Sequence, residues 1–391
     1  AAFIQRSFDL RYETALLISA VFAAIYVFFG GLKGVMYADA FQGTFMIVGM
    51  FIFIVAFYSH FGGITAAHDK LTLLSQLPDV QEQIKNIGIL PGFTGWTSTP
   101  EAFSPNWWVV FSSIVMGVGI GALAQPQLVV KYMTVKNGKQ LNRAVPIGGL
   151  FILMTVGVVY VVGPLTNVYF YEKYGMIAQV FAGSSEEVIP AFINDFMPEW
   201  FVAVFMIVAI SAGMSTISSQ FHTMGTAIAK DLFMNNNRDE KSTMRITRVG
   251  LIIAIVITVF LAYTLPKVWN GAIVISTGLF FGICAASFLP LYIGALYFRK
   301  MTKKAAISGM IAGFASSMLW MLFVHTKESA VLKLCRLIFG VDSLGQGTNL
   351  VYVDPLVVSL SVSTIVTILV GLFSKQDLNQ KHIDLCFQGK E

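Results

Sequence analysis

The run Ser211-Ala212-Gly213-Met214-Ser215-Thr216-Ile217-Ser218-Ser219-Gln220 places five hydroxyls and an amide inside an otherwise apolar stretch of membrane-spanning length. Phe201 to Ile210 precede it without a charge, and Lys230 is the first charge after it. Polar groups at hydrocarbon depth are costly unless they find partners, because no water is there to satisfy them. On a helix Ala212, Ser215 and Thr216 sit at i, i+3 and i+4 and share one face. Two hydroxyl oxygens, joined by the Ala212 carbonyl if a turn loosens, make an all-oxygen, low-charge set. That set suits a hard monovalent cation better than a divalent one, which demands carboxylates. The competing reading is that Ser and Thr bond back to the i−4 carbonyl or line a close helix contact.

Two further stretches carry chemistry. In Gly30-Gly31-Leu32-Lys33-Gly34-Val35-Met36-Tyr37-Ala38-Asp39-Ala40-Phe41-Gln42-Gly43, a glycine pair ends one expected span and Asp39 falls in the first turn of the next. A carboxylate there either meets a helix N-terminus or attracts cations, since ionisable groups in spans are functional candidates. In Met116-Gly117-Val118-Gly119-Ile120-Gly121-Ala122-Leu123-Ala124-Gln125-Pro126-Gln127, alternate glycines weaken the helix and Pro126 removes a backbone donor. A broken helix of this kind builds substrate sites in transporters, and a flexible packing helix with a proline kink is the plainer alternative. It is not a phosphate loop, because the strand and the Lys-Ser/Thr are missing. His222 is either a proton-sensitive switch or a hydrogen-bonded structural histidine.

The elements that must position these residues follow from composition. The chain of 391 residues is 56% hydrophobic and 12% charged, against about 25% charged in a soluble domain. This predicts an all-α polytopic membrane protein. Spans are expected at about 13–31, 36–60, 107–129, 144–170, 200–228, 249–266, 271–298, 305–324 and 353–374, nine in all, each near the roughly 20 residues that cross a bilayer. With the N-terminus outside, 17 of the 26 Lys and Arg fall on the cytoplasmic side, as the positive-inside rule requires. The C-terminus is then cytoplasmic, and the net charge of +5 reports topology rather than a nucleic-acid partner. Trp107, Trp108 and Trp200 sit where spans enter from outside. Cys284, Cys335 and Cys386 lack disulfide or metal spacing. No nucleophile and base pair indicates an enzyme.

Gly30-Gly31-Leu32-Lys33 with Tyr37-Ala38-Asp39-Ala40-Phe41-Gln42 resembles a signature of the sodium:solute symporter family. Ala124-Gln125-Pro126-Gln127 through Met133 looks like the family's GQPH-type helix end. Ala212 to Gln220, closing at Ala229-Lys230-Asp231-Leu232-Phe233, looks like its sodium-site helix. The similarity is loosely nearest the pantothenate, monocarboxylate and proline branches. It implies a leucine-transporter-like inverted-repeat fold over residues 1–391. Residues 13–60 would be the remainder of the first repeat, 107–298 the second repeat, 305–374 extra helices and 375–391 a cytoplasmic tail. The first helices of repeat one would be missing before Ala1, so this chain alone is not expected to transport.

By the same resemblance, Ala212, Ser215 and Thr216 would bind the coupling sodium, Asp39 would be an accessory residue on its cytoplasmic route, and the helix around 116–126 would line the solute cavity. Val118, Gly121 and Ala122 stand where sugar carriers place Asn and aromatic residues. Val118, Gly119, Gly121, Ala122 and Gln125 are therefore the expected cavity residues, with a small apolar wall. The expected function is sodium-coupled import of a small organic solute, a carboxylate (monocarboxylate, pantothenate or amino acid) being favoured. It would work by alternating access in the plasma membrane, with the helices of 107–129 and 200–228 rocking as parts of one bundle. The alternative is a non-transporting membrane sensor or scaffold of the same fold. No motif bears on oligomeric state.

Overall fold

The computed structural model describes residues 11–133, 135–229, 240–268 and 272–374, with 383, 384 and 387 beyond them. The rest of the expected tail 375–391 and the motif Lys230-Asp231-Leu232-Phe233 lie outside the described residues. The described elements are all helical. In chain order they include α1 (Tyr12–His60), α2 (Ile64–Leu74), α3 (Pro78–Asn86), α4 (Pro105–Leu123), α5 (Pro126–Met133), α6 (Gly138–Tyr174) and α7 (Val188–Phe196). There follow α8 (Glu199–Ala227), α9 (Glu240–Val268), α10 (Ala272–Tyr297), α11 (Lys303–Phe323), α12 (Thr326–Leu332) and α13 (Pro355–Phe373).

Eight stretches among the described residues are long and apolar enough to cross a membrane: Asp39–His60 of α1, then α4, α6, α8, Arg245–Leu265, Ser276–Tyr297, α11 and α13. The ninth expected span, 13–31, falls partly on side chains outside the description, and its described apolar part is Tyr12–Phe22. The expected break at Gly30-Gly31 is not found, because α1 runs unbroken for 49 residues. Glycine weakens a helix but keeps its N–H, and α1 contains no proline to remove a rung of the ladder.

The chain falls into two compact units: residues 1–88, 95–97 and 130–270, and residues 89–94, 98–129 and 271–391. The expected second repeat is thus split between them. The helices of 107–129 and 200–228, expected to move as one bundle, belong to different units.

In unit one α1 and α8 pack antiparallel. Gly49 admits Val208 so closely that a Cβ at 49 would lie 2.7 Å from Val208 Cγ2. Four residues on, Phe53 meets Phe205 and Phe201 at 5.8 and 6.2 Å between ring centroids. Phe57, fully buried, continues the stack onto Phe192 and Phe196 of α7. Close fit rather than water exclusion drives such association in lipid, which is why glycine meets a branched side chain and rings meet edge to face. At the other end of α8, Gly225 lies against Leu251 and Gly250 of α9.

Unit two is held by a seam of small residues. Ala305, Gly309, Gly313 and Ser317 recur every four residues on the buried side of α11, and Ser359, Ser363 and Thr367 do the same on α13. The backbones approach until Ser363 donates a hydrogen bond to the Gly309 carbonyl at 2.8 Å. A Cβ at Gly313 would strike the carbonyl of Ala286 on α10. Within α4, Val109–Val118 is wound as a π-helix, a feature frequent at functional sites. Gly119–Leu123 returns to α winding and stops at Ala124 (φ −104°, ψ 7°), before Pro126 opens α5. The expected break at Gln125-Pro126 is found, because proline brings no N–H and its ring pushes the preceding residue out of the helical region.

Candidate functional site

The hydroxyl run lies in the middle of α8, which continues without a loosened turn from Glu199 to Ala227. The Ala212 carbonyl is not freed as expected, since Thr216 Oγ1 donates to it at 3.1 Å. Ser218 and Ser219 both donate to the Ser215 carbonyl, at 3.0 and 2.9 Å. Three of the five hydroxyls therefore bond back into their own helix, the competing reading of the sequence. Back-bonding uses the hydroxyl's proton and leaves oxygen lone pairs free to accept or ligate. Ser218 and Ser219 are buried, Ser211, Ala212 and Ser215 are half-buried and Thr216 is exposed, so on the shared face the accessible hydroxyl oxygens are those of Ser215 and Thr216.

Asp39 lies on α1 in the same unit. The antiparallel register pairs Gly49 with Val208 and Phe53 with Phe205. Ten residues further along, about 15 Å, that register sets Asp39 level with Ser218 and Gln42 level with Ser215. Asp39 is not in a first turn, because α1 begins at Tyr12. Its Oδ2 accepts from Lys131 Nζ at 2.8 Å, and its Oδ1 is buried without a hydrogen-bond partner. Gln42 Oε1, one helical turn away, is likewise buried and unpartnered. Two buried oxygens without donors on one helix face form a place that a cation or water would satisfy. Gln42 received no role from the sequence, although a polar amide one turn past Asp39 at hydrocarbon depth was the signal available.

The expected cavity residues lie on α4 in unit two, and the winding sorts them. Val118 and Gly119 are exposed, Ala122 is half-buried, and nothing stands within 4 Å of where a Gly119 side chain would begin. With Val115, also exposed and unassigned by the sequence, they make one stripe. Gly121 faces the other way, where a Cβ would meet Phe281 Cβ at 2.7 Å, so it belongs to the packing of α4 on α10 and not to an open wall. Gln125 is buried at the helix break, its side-chain oxygen accepting from Gln127 Nε2. Among the described residues no cluster of His, Cys, Asp and Glu suits a divalent metal.

Comparison with known proteins adds three findings. The model of the Sodium:solute symporter family matches residues 1–313. The chain is 26% identical to the sodium/pantothenate symporter of Haemophilus influenzae over 82% of its own length and 60% of that protein's. It is 25% identical to the sodium/proline symporter of Staphylococcus aureus, over 96% and 66% of the two lengths. The chain thus spans roughly three fifths to two thirds of these relatives. Among solved structures, a Na+-coupled sialic acid symporter in a substrate-bound outward-open state matches with a TM-score of 0.66 at 15% identity, covering 96% of this chain and 72% of the other. That likeness establishes the fold class, all-α and leucine-transporter-like.

Proposed function

Because this chain belongs to the sodium:solute symporter family, we propose that it couples inward sodium movement to import of a small organic solute by alternating access. The family is one of membrane transporters, not enzymes, and the chain is a multi-pass membrane protein. The observation that carries the reading is the oxygen-lined level shared by α1 and α8. Sodium is held by the open oxygens of Ser215 and Thr216 with the Ala212 carbonyl behind them. Asp39 and Gln42, level with the lower part of that face, offer two unpartnered oxygens along the ion's cytoplasmic route. Lys131 balances the Asp39 charge, so an arriving sodium competes with an ammonium already paired there. Each sodium contributes roughly 2.3 kcal/mol per 100 mV of membrane potential.

The solute meets the Val115, Val118, Gly119 and Ala122 stripe, whose small apolar side chains leave room for a branched carbon skeleton. Both relatives are named for carboxylates, pantothenate and proline, which supports a carboxylate solute for this chain. The basic-residue bias supports a plasma-membrane orientation with a cytoplasmic C-terminus.

Uptake of labelled candidate carboxylates into proteoliposomes by the whole protein that contains this chain, with and without a sodium gradient, tests the reading. Sodium-stimulated uptake should be lost in the double variant Ser215→Ala, Thr216→Ala while the protein remains folded. Undiminished sodium dependence in that variant would remove the assigned ion face.

A further inference from the structure

Two short connecting helices are built in opposite senses. In unit one α3 buries its apolar Val80 and Ile84 and exposes Asp79, Glu82, Lys85 and Asn86. In unit two the short helix Leu334–Phe339 buries Cys335 and exposes Arg336, Leu337, Ile338 and Phe339. Leu337, Ile338 and Phe339 are 81%, 57% and 54% exposed, and Leu332, Val341 and Leu344 beside them in the chain are exposed too. Single exposed apolar side chains are ordinary, but a cluster in one short segment marks an interaction surface.

The segment cannot turn these side chains inward, because it is fastened to the end of α11. The Leu344 amide donates to the Phe323 carbonyl at 2.8 Å, and the Cys335 thiol donates to the same oxygen at 3.7 Å. The Phe339 and Phe323 rings meet edge to face at 5.8 Å, and Ser343 donates to the Val324 carbonyl. The far end of the segment is held as well. The Asp354 carboxylate caps α13 by accepting from the Leu356 amide at 2.9 Å, and the Asp354 amide donates to Ser112 Oγ of α4 at 3.0 Å.

What covers the apolar face follows from where it is held. Phe323 ends the membrane span α11. One turn earlier the half-buried Trp320 donates its indole N–H to the Val353 carbonyl at 3.0 Å. A tryptophan in the last turn of a span marks the depth where hydrocarbon gives way to headgroups. The exposed Ile311, Phe314 and Leu319 are the lipid-facing residues of that span, so the 332–344 face begins where a lipid-covered surface ends. Charge agrees with this. Lys327, Lys333 and Arg336 are exposed, whereas Asp342 is the one exposed acid of 326–344 and lies 3.9 Å from Arg336. Glu328 is buried against His325. Cations beside outward apolar side chains match phosphates above acyl chains. Further on, the exposed Gln346, Thr348 and Asn349 are polar and suit water.

We propose that residues 332–344 form an interfacial anchor that lies in one leaflet of the bilayer. Leu337, Ile338, Phe339, Val341 and Leu344 enter the upper acyl region, and Lys327 and Lys333 reach the headgroup phosphates. The anchor ties the turn between α11 and α13 to that leaflet, and through Asp354 it ties α4 to the same turn.

The test uses the whole protein that contains this chain, in nanodiscs of equal parts phosphatidylcholine and phosphatidylglycerol. A diazirine-bearing amino acid replaces Leu337, or Val341 if position 337 does not tolerate it, and Gln346 in a control. After illumination, mass spectrometry separates phospholipid adducts, protein crosslinks and water-quenched product. The lipid-adduct fraction at 337 or 341 should exceed that at 346 about tenfold. Phosphatidylglycerol should be over-represented among the adducts, and the double variant Lys327→Gln, Lys333→Gln should lose that preference. Water-quenched product at 337 and 341 overturns the anchor. A crosslink to a second copy or to another protein as the main product there also overturns it. A phosphatidylglycerol preference unchanged in the double variant overturns the headgroup contact.

Discussion

On α13, Ser359, Ser363 and Thr367 are buried against α11 and their hydroxyls serve backbone carbonyls, Ser363 reaching Gly309 on the neighbouring helix. On α8, Ser215 and Thr216 have the same chemistry, yet Thr216 is exposed and Ser215 only half-buried, and the Thr216 hydroxyl bonds back to its own helix. A hydroxyl in a membrane span is therefore not in itself a site. What separates the two rows is the partner: Gly309 on α11 lets a second backbone come close enough to take the Ser363 hydroxyl, while Ser359 and Thr367 bond back within α13. Opposite the α8 row, the shared level of α1 carries Asp39 and Gln42, each with an oxygen that lacks a donor.

The contrast breaks most readily at the close approach. Gly313→Leu in α11 should cost about 3 kcal/mol or more, because the added side chain strikes the Ala286 carbonyl, which cannot yield as a flexible side chain would. Loss of the monodisperse folded fraction in detergent is the measurement, and a normal yield of stable protein would mean the seam is looser than described. On the open row, Thr216→Val keeps shape and removes an oxygen. The sodium concentration for half-maximal uptake should rise about tenfold, equivalent to about 1.4 kcal/mol, with thermal stability unchanged. On the closed row, Ser363→Ala should do the reverse, lowering stability by about 1 kcal/mol and leaving sodium dependence alone. A sodium effect from Ser363→Ala, or a stability effect alone from Thr216→Val, would erase the distinction.

Much of this was legible in the residues. Apolar runs of bilayer length identify the spans because lipid forces each backbone to satisfy itself as a helix. The break at Gln125-Pro126 was legible because proline acts locally and without alternatives. The break at Gly30-Gly31 was misread because glycine permits a bend without imposing one. The π winding of 109–118 leaves no local mark, since the same side chains fit either ladder and neighbouring helices decide between them. Gly121 shows the cost of that: the family resemblance put it with Val118 and Ala122, whereas its backbone lies against Phe281. The candidate ion face was half legible. The sequence picked out the shared face of Ala212, Ser215 and Thr216 with back-bonding as the competing reading, but gave Gln42 no part in it.

The π stretch of α4 has a geometric consequence for what comes after it. Each i→i+5 bond takes up one more residue than an α bond, so the stretch resets the azimuth of every side chain beyond Val118, by about 100° for each residue absorbed. Gly117 and Gly121 lie inward, and Val118 and Ala122 outward, because of this offset and not because of their count from the helix start. Asp354 grips the helix at Ser112, inside the stretch that sets the offset. The cap of one helix thereby fixes the rotational phase of another.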